Sequence, residues 1–205
     1  MQHIFVTGIS TNVGKTMVCA ILAEALEADY WKPVQAGDLE YTDSDRVTSL
    51  ISNSKTVIHP SKYQLKNALS PHAAAALENI TIDINRIEEP ATENHLIIEG
   101  AGGILVPLTD SDTILDLIMP NYKVVVVSQH YLGSINHTLL TVLWLQQRGY
   151  EVAIIFNGSE NKDTERVILK KTGATFLGRL EHEPDFNKST VKKYATLWQK
   201  DLLLL

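Results

Sequence analysis

Three groups of residues in this chain carry the makings of phosphate chemistry. The first is Gly8-Ile9-Ser10-Thr11-Asn12-Val13-Gly14-Lys15-Thr16, which joins the apolar run Ile4-Phe5-Val6 to a segment with helical spacing of apolar residues, Met17 to Leu26. A loop that runs into a helix leaves backbone N–H groups unpaired, and the helix dipole adds partial positive charge there. Glycine lets that backbone approach a phosphate, a lysine reaches the β- and γ-phosphates, and a Thr hydroxyl sits on Mg²⁺. Five residues rather than the usual four separate Gly8 from Gly14, so the strand before and the helix after must support the reading. The second group is Glu99, which ends the apolar run His95-Leu96-Ile97-Ile98 and precedes Gly100-Ala101-Gly102-Gly103. A carboxylate at the end of a buried strand needs a partner, and beside a phosphate loop Mg²⁺ is the expected one. The third is Lys32, at the end of a short apolar run, with Asp45 in the segment after it. Thr16, Asp45 and Glu99 together would satisfy Mg²⁺, which takes one or two carboxylates with hydroxyl, phosphate and water.

The elements that must position these groups alternate along the chain. Strands are expected at 4–6, 30–34, 95–99, 123–128, 151–156 and 174–178, and helices at 16–28, 46–51, 135–148, 162–171 and 190–203. The short helix at 46–51 is expected to be capped by Asp43 or Ser44. Ser70-Pro71 starts a helix over His72 to Leu77, with Pro at its first position. Residues 82–89 and 113–119 are expected as short helices, and 57–67 as irregular chain. Apolar strands alternating with helices predict a doubly wound, mostly parallel α/β sheet with helices on both faces, of the P-loop NTPase type. Ligands in such sheets bind at the carboxyl ends of the strands, where the Gly8 loop, Lys32, Glu99 and Asn157 all fall.

Bulk properties exclude several classes. The 205 residues suit a single domain spanning 1–205, with 44% hydrophobic and 20% charged residues. A formal net charge of -6 without a basic patch argues against nucleic-acid binding. No apolar run is long enough for a membrane span, and the tail Asp201 to Leu205 is too short to anchor the chain by itself. The lone Cys19 excludes an internal disulfide and reads as a small core residue in a reducing cytoplasm. The seven histidines show no metal-ligand spacing, and no serine lies in a nucleophile elbow.

Taken together, the motifs resemble the dethiobiotin synthetases of biotin biosynthesis. The resemblance rests on Gly8 to Thr16, Trp31-Lys32-Pro33-Val34-Gln35, Ser44-Asp45, Ser70-Pro71-His72, Glu99 to Gly103 and Leu132 to Thr141, and it runs to about Asn157. It implies an ATP-dependent cyclo-ligase that carboxylates 7,8-diaminononanoate with CO₂ and closes a ureido ring through a carbamic–phosphoric mixed anhydride, with Mg²⁺ as cofactor. It implies catalytic roles for Lys15, Lys32 and Thr11, and metal ligation by Thr16, Asp45 and Glu99. Nucleotide would be held by Asn12, Val13, Gly14, Lys15, Thr16, Met17, Asp45, Glu99, Gly100, Ala101, Gly102, Asn157, Gly158, Leu180, Glu181 and His182. Substrate would be held by Thr11, Lys32, Ala36, Gly133, Ser134 and Asn136, near the interface of a homodimer. Ala36 stands where the family usually has Ser or Thr. The competing reading is a partitioning or division-site ATPase, but such proteins usually carry an extra Lys early in the loop, where this chain has Ile9-Ser10-Thr11-Asn12. An amide synthase with a glutamine-hydrolysing domain would need a longer chain.

Overall fold

The computed structural model describes residues 1–204; Leu205, part of the apolar tail, lies outside the described residues. Its centre is a seven-stranded sheet in which every pairing is parallel. The strands are β1 (His3–Gly8), β2 (Asp29–Trp31), β4 (Ile58–His59), β6 (Leu96–Glu99), β7 (Lys123–Gln129), β8 (Val152–Asn157) and β9 (Thr175–Leu180). They lie in the order β4-β2-β6-β1-β7-β8-β9. A second parallel pair joins β3 (Val34–Ala36) to β5 (Tyr63–Leu65). The helices are α1 (Lys15–Leu26), α2 (Asp43–Leu50), α3 (Pro71–Leu77), α4 (Ser134–Gln147), α5 (Lys162–Thr172) and α6 (Lys188–Trp198). Helix α1 packs against α2 and α6, while α4 packs against α5. Right-handed crossovers leftward from β1 and rightward from β7 put these two groups on opposite faces of the sheet. Ile4 to Val6 and Val124 to Val127 are fully buried between the layers.

The order of the strands reverses at β1, whose neighbours are β6 and β7. That switch point opens a crevice at the carboxyl edge, and the Gly8 loop fills its floor. Pro33 divides the expected strand 30–34 into β2 and β3. It has no N–H for a ladder, and its carbonyl instead accepts from the N–H groups of Lys62 and Tyr63, which starts the second sheet. The expected irregular stretch 57–67 contains β4 and β5, each too short to show a period.

Three expected helices are smaller than their sequences suggested. Residues 82–89 make one 3₁₀ turn, Ile84–Arg86, because the Asp83 carboxylate caps Asn85 N–H and Pro90 prevents extension. Residues 113–119 likewise make a 3₁₀ turn, Ile114–Leu117, before Pro120. The last helix stops at Trp198, and a 3₁₀ turn over Asp201–Leu204 follows. Trp198 is buried over β9 at Gly178, where φ is +152° and an added Cβ would lie 2.4 Å from the indole nitrogen. Only glycine lets the helix close so near the strand.

Candidate functional site

Gly14 caps α1 in the left-handed region at φ +93°, and this turns the loop into the helix. An added Cβ there would meet the Asn157 side chain at 2.5 Å. The Asn157 amide, at the end of β8, donates to the Val13 carbonyl at 2.8 Å and so ties the phosphate loop to the neighbouring strand. Lys15 is buried, and its ammonium arches back over the loop to donate to the Ser10 carbonyl at 3.1 Å. Burial holds its pKa below the usual lysine value despite the pull of Glu99. The glycine loop after β6 packs alongside: a Cβ on Gly102 would lie 3.5 Å from Thr11 Oγ1, and one on Gly103 3.3 Å from the Gly8 carbonyl.

At the mouth of this loop four side chains converge from four elements. Thr16 Oγ1 of α1 lies 2.9 Å from Asp43 Oδ1 of α2 and 2.9 Å from Glu99 Oε1 of β6. Lys32, which follows β2, donates to Asp43 Oδ2 and, at 3.2 Å, to Glu99 Oε1. Glu99 is 1% exposed and Lys32 6%. Burial alone would weaken the lysine's hold on its proton, but the Glu99 and Asp43 carboxylates outweigh it and raise the pKa above the usual value. Burial would likewise raise Asp43, and the Lys32 charge and hydrogen bond outweigh it in the opposite direction. Beneath Glu99 the phenol of Tyr30 donates to Oε2 at 2.8 Å. Burial, then the Glu99 charge, push the Tyr30 pKa well up and keep it neutral.

Asp45, expected as a metal ligand, lies at the exposed start of α2 and not among these four side chains. Its carboxylate is exposed and accepts from the backbone N–H and hydroxyl of Thr42, in a capping box that starts α2. Asp43 takes the place in the crevice, and the cap is Thr42 rather than Asp43 or Ser44. The pattern Thr42-x-x-Asp45 is the sequence signal that separates the two aspartates, since a capping box spends the third residue on the helix end. Tyr30 carried no signal beyond an apolar strand position.

Other expected residues fall in three places. Asn157, Gly158, Leu180 and Glu181 come together at the ends of β8 and β9, with Gly158 N–H on the Leu180 carbonyl at 2.9 Å; His182 follows, exposed. A network absent from the sequence reading braces this corner. Glu165 of α5 accepts from Arg179 of β9 at 2.6 and 3.0 Å, and lies 2.9 Å from the His130 ring after β7. Gly133, Ser134 and Asn136 begin α4 beyond β7, which β1 separates from the β6 strand that carries Glu99. Gly133 and Asn136 are exposed, and Ser134 is buried. Ala36 is half-buried on β3.

This parallel sheet, with a glycine loop, Lys15 and Thr16 at its switch point, defines a P-loop nucleotide-binding α/β protein. Solved structures share that fold: a ParA family ATPase from Chlorobium tepidum (TM-score 0.55, 12% identity, 99% of this chain and 92% of that one) and MinD in the MinC:MinD complex of Aquifex aeolicus (TM-score 0.58, 13% identity, 100% and 97%). At such identities the likeness is one of fold alone. A family model described as an AAA domain matches residues 2–190. The chain is 50% identical over 199 residues to the ATP-dependent dethiobiotin synthetase BioD of Christiangramia forsetii, covering 97% of this chain and 96% of that protein. Its identity to the protein of the same name from Cytophaga hutchinsonii is 52% over 198 residues (95% and 96%), and to that of Chlamydia abortus 42% over 201 residues (97% and 95%). The chain belongs to the ATP-dependent dethiobiotin synthetase family.

Proposed function

We propose that this chain makes dethiobiotin from 7,8-diaminononanoate, CO₂ and ATP. The observation that carries the reading is Lys32, buried between Asp43 and Glu99 at the mouth of a loop whose own lysine, Lys15, lies beside it. One amine of the substrate takes up CO₂ and loses a proton to give a carbamate. A carbamate oxygen attacks the γ-phosphorus of ATP, and ADP leaves. The second amine attacks the carbonyl of the mixed anhydride, closes the ring, expels phosphate and releases a proton. Both nucleophiles belong to the substrate, so the protein's task is positioning and charge stabilisation. Lys15 and Lys32 hold carbamate and γ-phosphoryl oxygens together, and the Thr11 hydroxyl steadies the group in transfer.

The residues fit Mg²⁺. Thr16, Asp43 and Glu99 offer hard oxygen donors, and a single hydroxyl proton serves two carboxylate oxygens at 2.9 Å each, an arrangement that suits a cation. When bound, Mg²⁺ neutralises charge on the β- and γ-phosphates. Asn12, Val13, Gly14, Met17, Gly100, Ala101 and Gly102 line the phosphates, and Asn157, Gly158, Leu180, Glu181 and His182 take the base.

A second copy of the chain completes the substrate site in this reading. Leu132 is fully exposed, and α4 presents Leu140, Leu143 and Trp144 to solvent, an apolar face suited to a homodimer. It would carry the Gly133–Asn136 turn, whose place at the start of α4 suits a carboxylate, toward the partner's lysines. Among the described residues no helix is long and apolar enough to cross a membrane, and we place the reaction in the cytoplasm. The test is incubation with the diamine, bicarbonate, ATP and Mg²⁺. Dethiobiotin and ADP should form together and only with the diamine present; diamine-independent ATP turnover alone would overturn the reading.

A further inference from the structure

We propose that Tyr30 is a positioning residue for this reaction, its phenol fixing the Glu99 carboxylate so that one oxygen faces the metal and phosphate side. The inference rests on the function proposed above. A Glu side chain turns freely about its last torsion unless something holds it. Here the two oxygens have different partners. Oε1 faces Thr16 at 2.9 Å and Lys32 at 3.2 Å, and Oε2 accepts the Tyr30 hydroxyl at 2.8 Å. Tyr30 is fully buried, and Glu99 is 1% exposed, so solvent has little access to replace that bond.

The fold makes the contact unavoidable. Tyr30 and Glu99 lie on adjacent parallel strands, with Tyr30 in register with Ile97 and Trp31 with Ile98. The ring therefore runs along the sheet to reach a carboxylate farther along β6. Lys32, two residues on from Tyr30, reaches the same carboxylate from above. Strand β2 and the residue after it thus supply a donor to each oxygen: a neutral phenol on the inner one and, beside the Thr16 hydroxyl, an ammonium on the outer one. Partners behind a metal-ligating carboxylate set its orientation, and their loss typically costs ten- to a hundredfold in metal affinity or activity.

The test is Tyr30→Phe, which keeps the ring and removes only the hydroxyl, compared with wild type, Glu99→Gln and the double variant. Mn²⁺ binding to the protein–ADP complex is followed by electron paramagnetic resonance, with folding checked by thermal melting. Tyr30→Phe should weaken Mn²⁺ by about tenfold or more, leave metal-free ADP affinity unchanged, and cost nothing further once Glu99 is Gln. An unchanged Mn²⁺ affinity, or the same loss in the Glu99→Gln background, overturns the proposal. Should Tyr30→Phe not fold, wild type with isotope-labelled tyrosine replaces it. The Tyr30 ring resonance should then move when Mg²⁺ and ADP bind and stay still in Glu99→Gln, and no movement in wild type overturns it. Because metal binding is read without turnover, a protein that binds Mn²⁺ and ADP but makes no dethiobiotin overturns the reaction and leaves the Tyr30 result standing.

Discussion

The Lys32 ammonium lies 3.2 Å from Glu99 Oε1, with both groups buried, Lys32 reaching the site from the turn after β2 and Glu99 from the end of β6. Removing one partner of a buried pair leaves an uncompensated charge, which costs more than the pair contributes. Lys32→Ala should therefore lower the melting point as well as activity. Turnover should fall by about 10²–10³-fold, the usual cost of one lost charge-stabilising donor. The ATP dissociation constant should change little, because Lys15 and the loop N–H groups remain. Parallel kcat and nucleotide-binding measurements check this, and normal turnover would remove Lys32 from the chemistry.

Asp43→Asn and Glu99→Gln should each raise the Mg²⁺ concentration needed for half-maximal activity. Asp45→Asn should leave that requirement alone and loosen only the start of α2, since its carboxylate serves the Thr42 cap. Mg²⁺ titrations of the three variants separate the two aspartates. A shift with Asp45→Asn and none with Asp43→Asn would reverse the assignment.

Gly14→Ala should impair folding and nucleotide binding together. A left-handed backbone costs a non-glycine residue roughly 1–2 kcal/mol, and the new Cβ would press on the Asn157 amide at 2.5 Å. Thermal melting and ADP titration should both report the loss. A variant with wild-type values in both would mean that the loop opens away from β8.

Glu165 gives a signed pH dependence. Burial would raise its pKa, but hydrogen bonds from Arg179 and then His130 outweigh it and hold the carboxyl below the ordinary 4.5. A depressed carboxyl contributes stability that is fully present above 4.5 and is lost as pH falls through the lowered folded value. Glu165→Gln should lower stability near neutrality and flatten the acid limb below that point. Urea midpoints measured from about pH 6 down to pH 3 check it, and a parallel acid limb in the variant would sink the claim.

The local code was legible because it is written in neighbouring residues. Gly14-Lys15-Thr16 after an apolar strand needs only chain connectivity to become a helix-capped anion loop, and the apolar runs at 96–98 and 124–127 have no stable place except inside a covered parallel sheet. The weak elements misread for a related reason. Residues 82–89 carry helix-compatible apolar spacing, yet a side-chain cap at Asp83 and Pro90 restrict them to a single turn. The strands within 57–67 are so short that only their pairing partners define them.

The sequence by itself determined the strand-loop-helix unit, the alternation that makes the sheet parallel, and the carboxyl edge as the place where Lys15, Lys32 and Glu99 must collect. Only the tertiary structure decided which aspartate joins them. Asp43 and Asp45 are two residues apart on one short helix, where a rotation of roughly 200° separates their side chains, so one can face the crevice only while the other faces solvent. It also decided that Tyr30 lies under Glu99 and that Arg179, Glu165 and His130 meet. Those contacts join residues 69, 14 and 35 positions apart, and chain spacing holds no information about pairs that only the packing of strands and helices brings within hydrogen-bond reach.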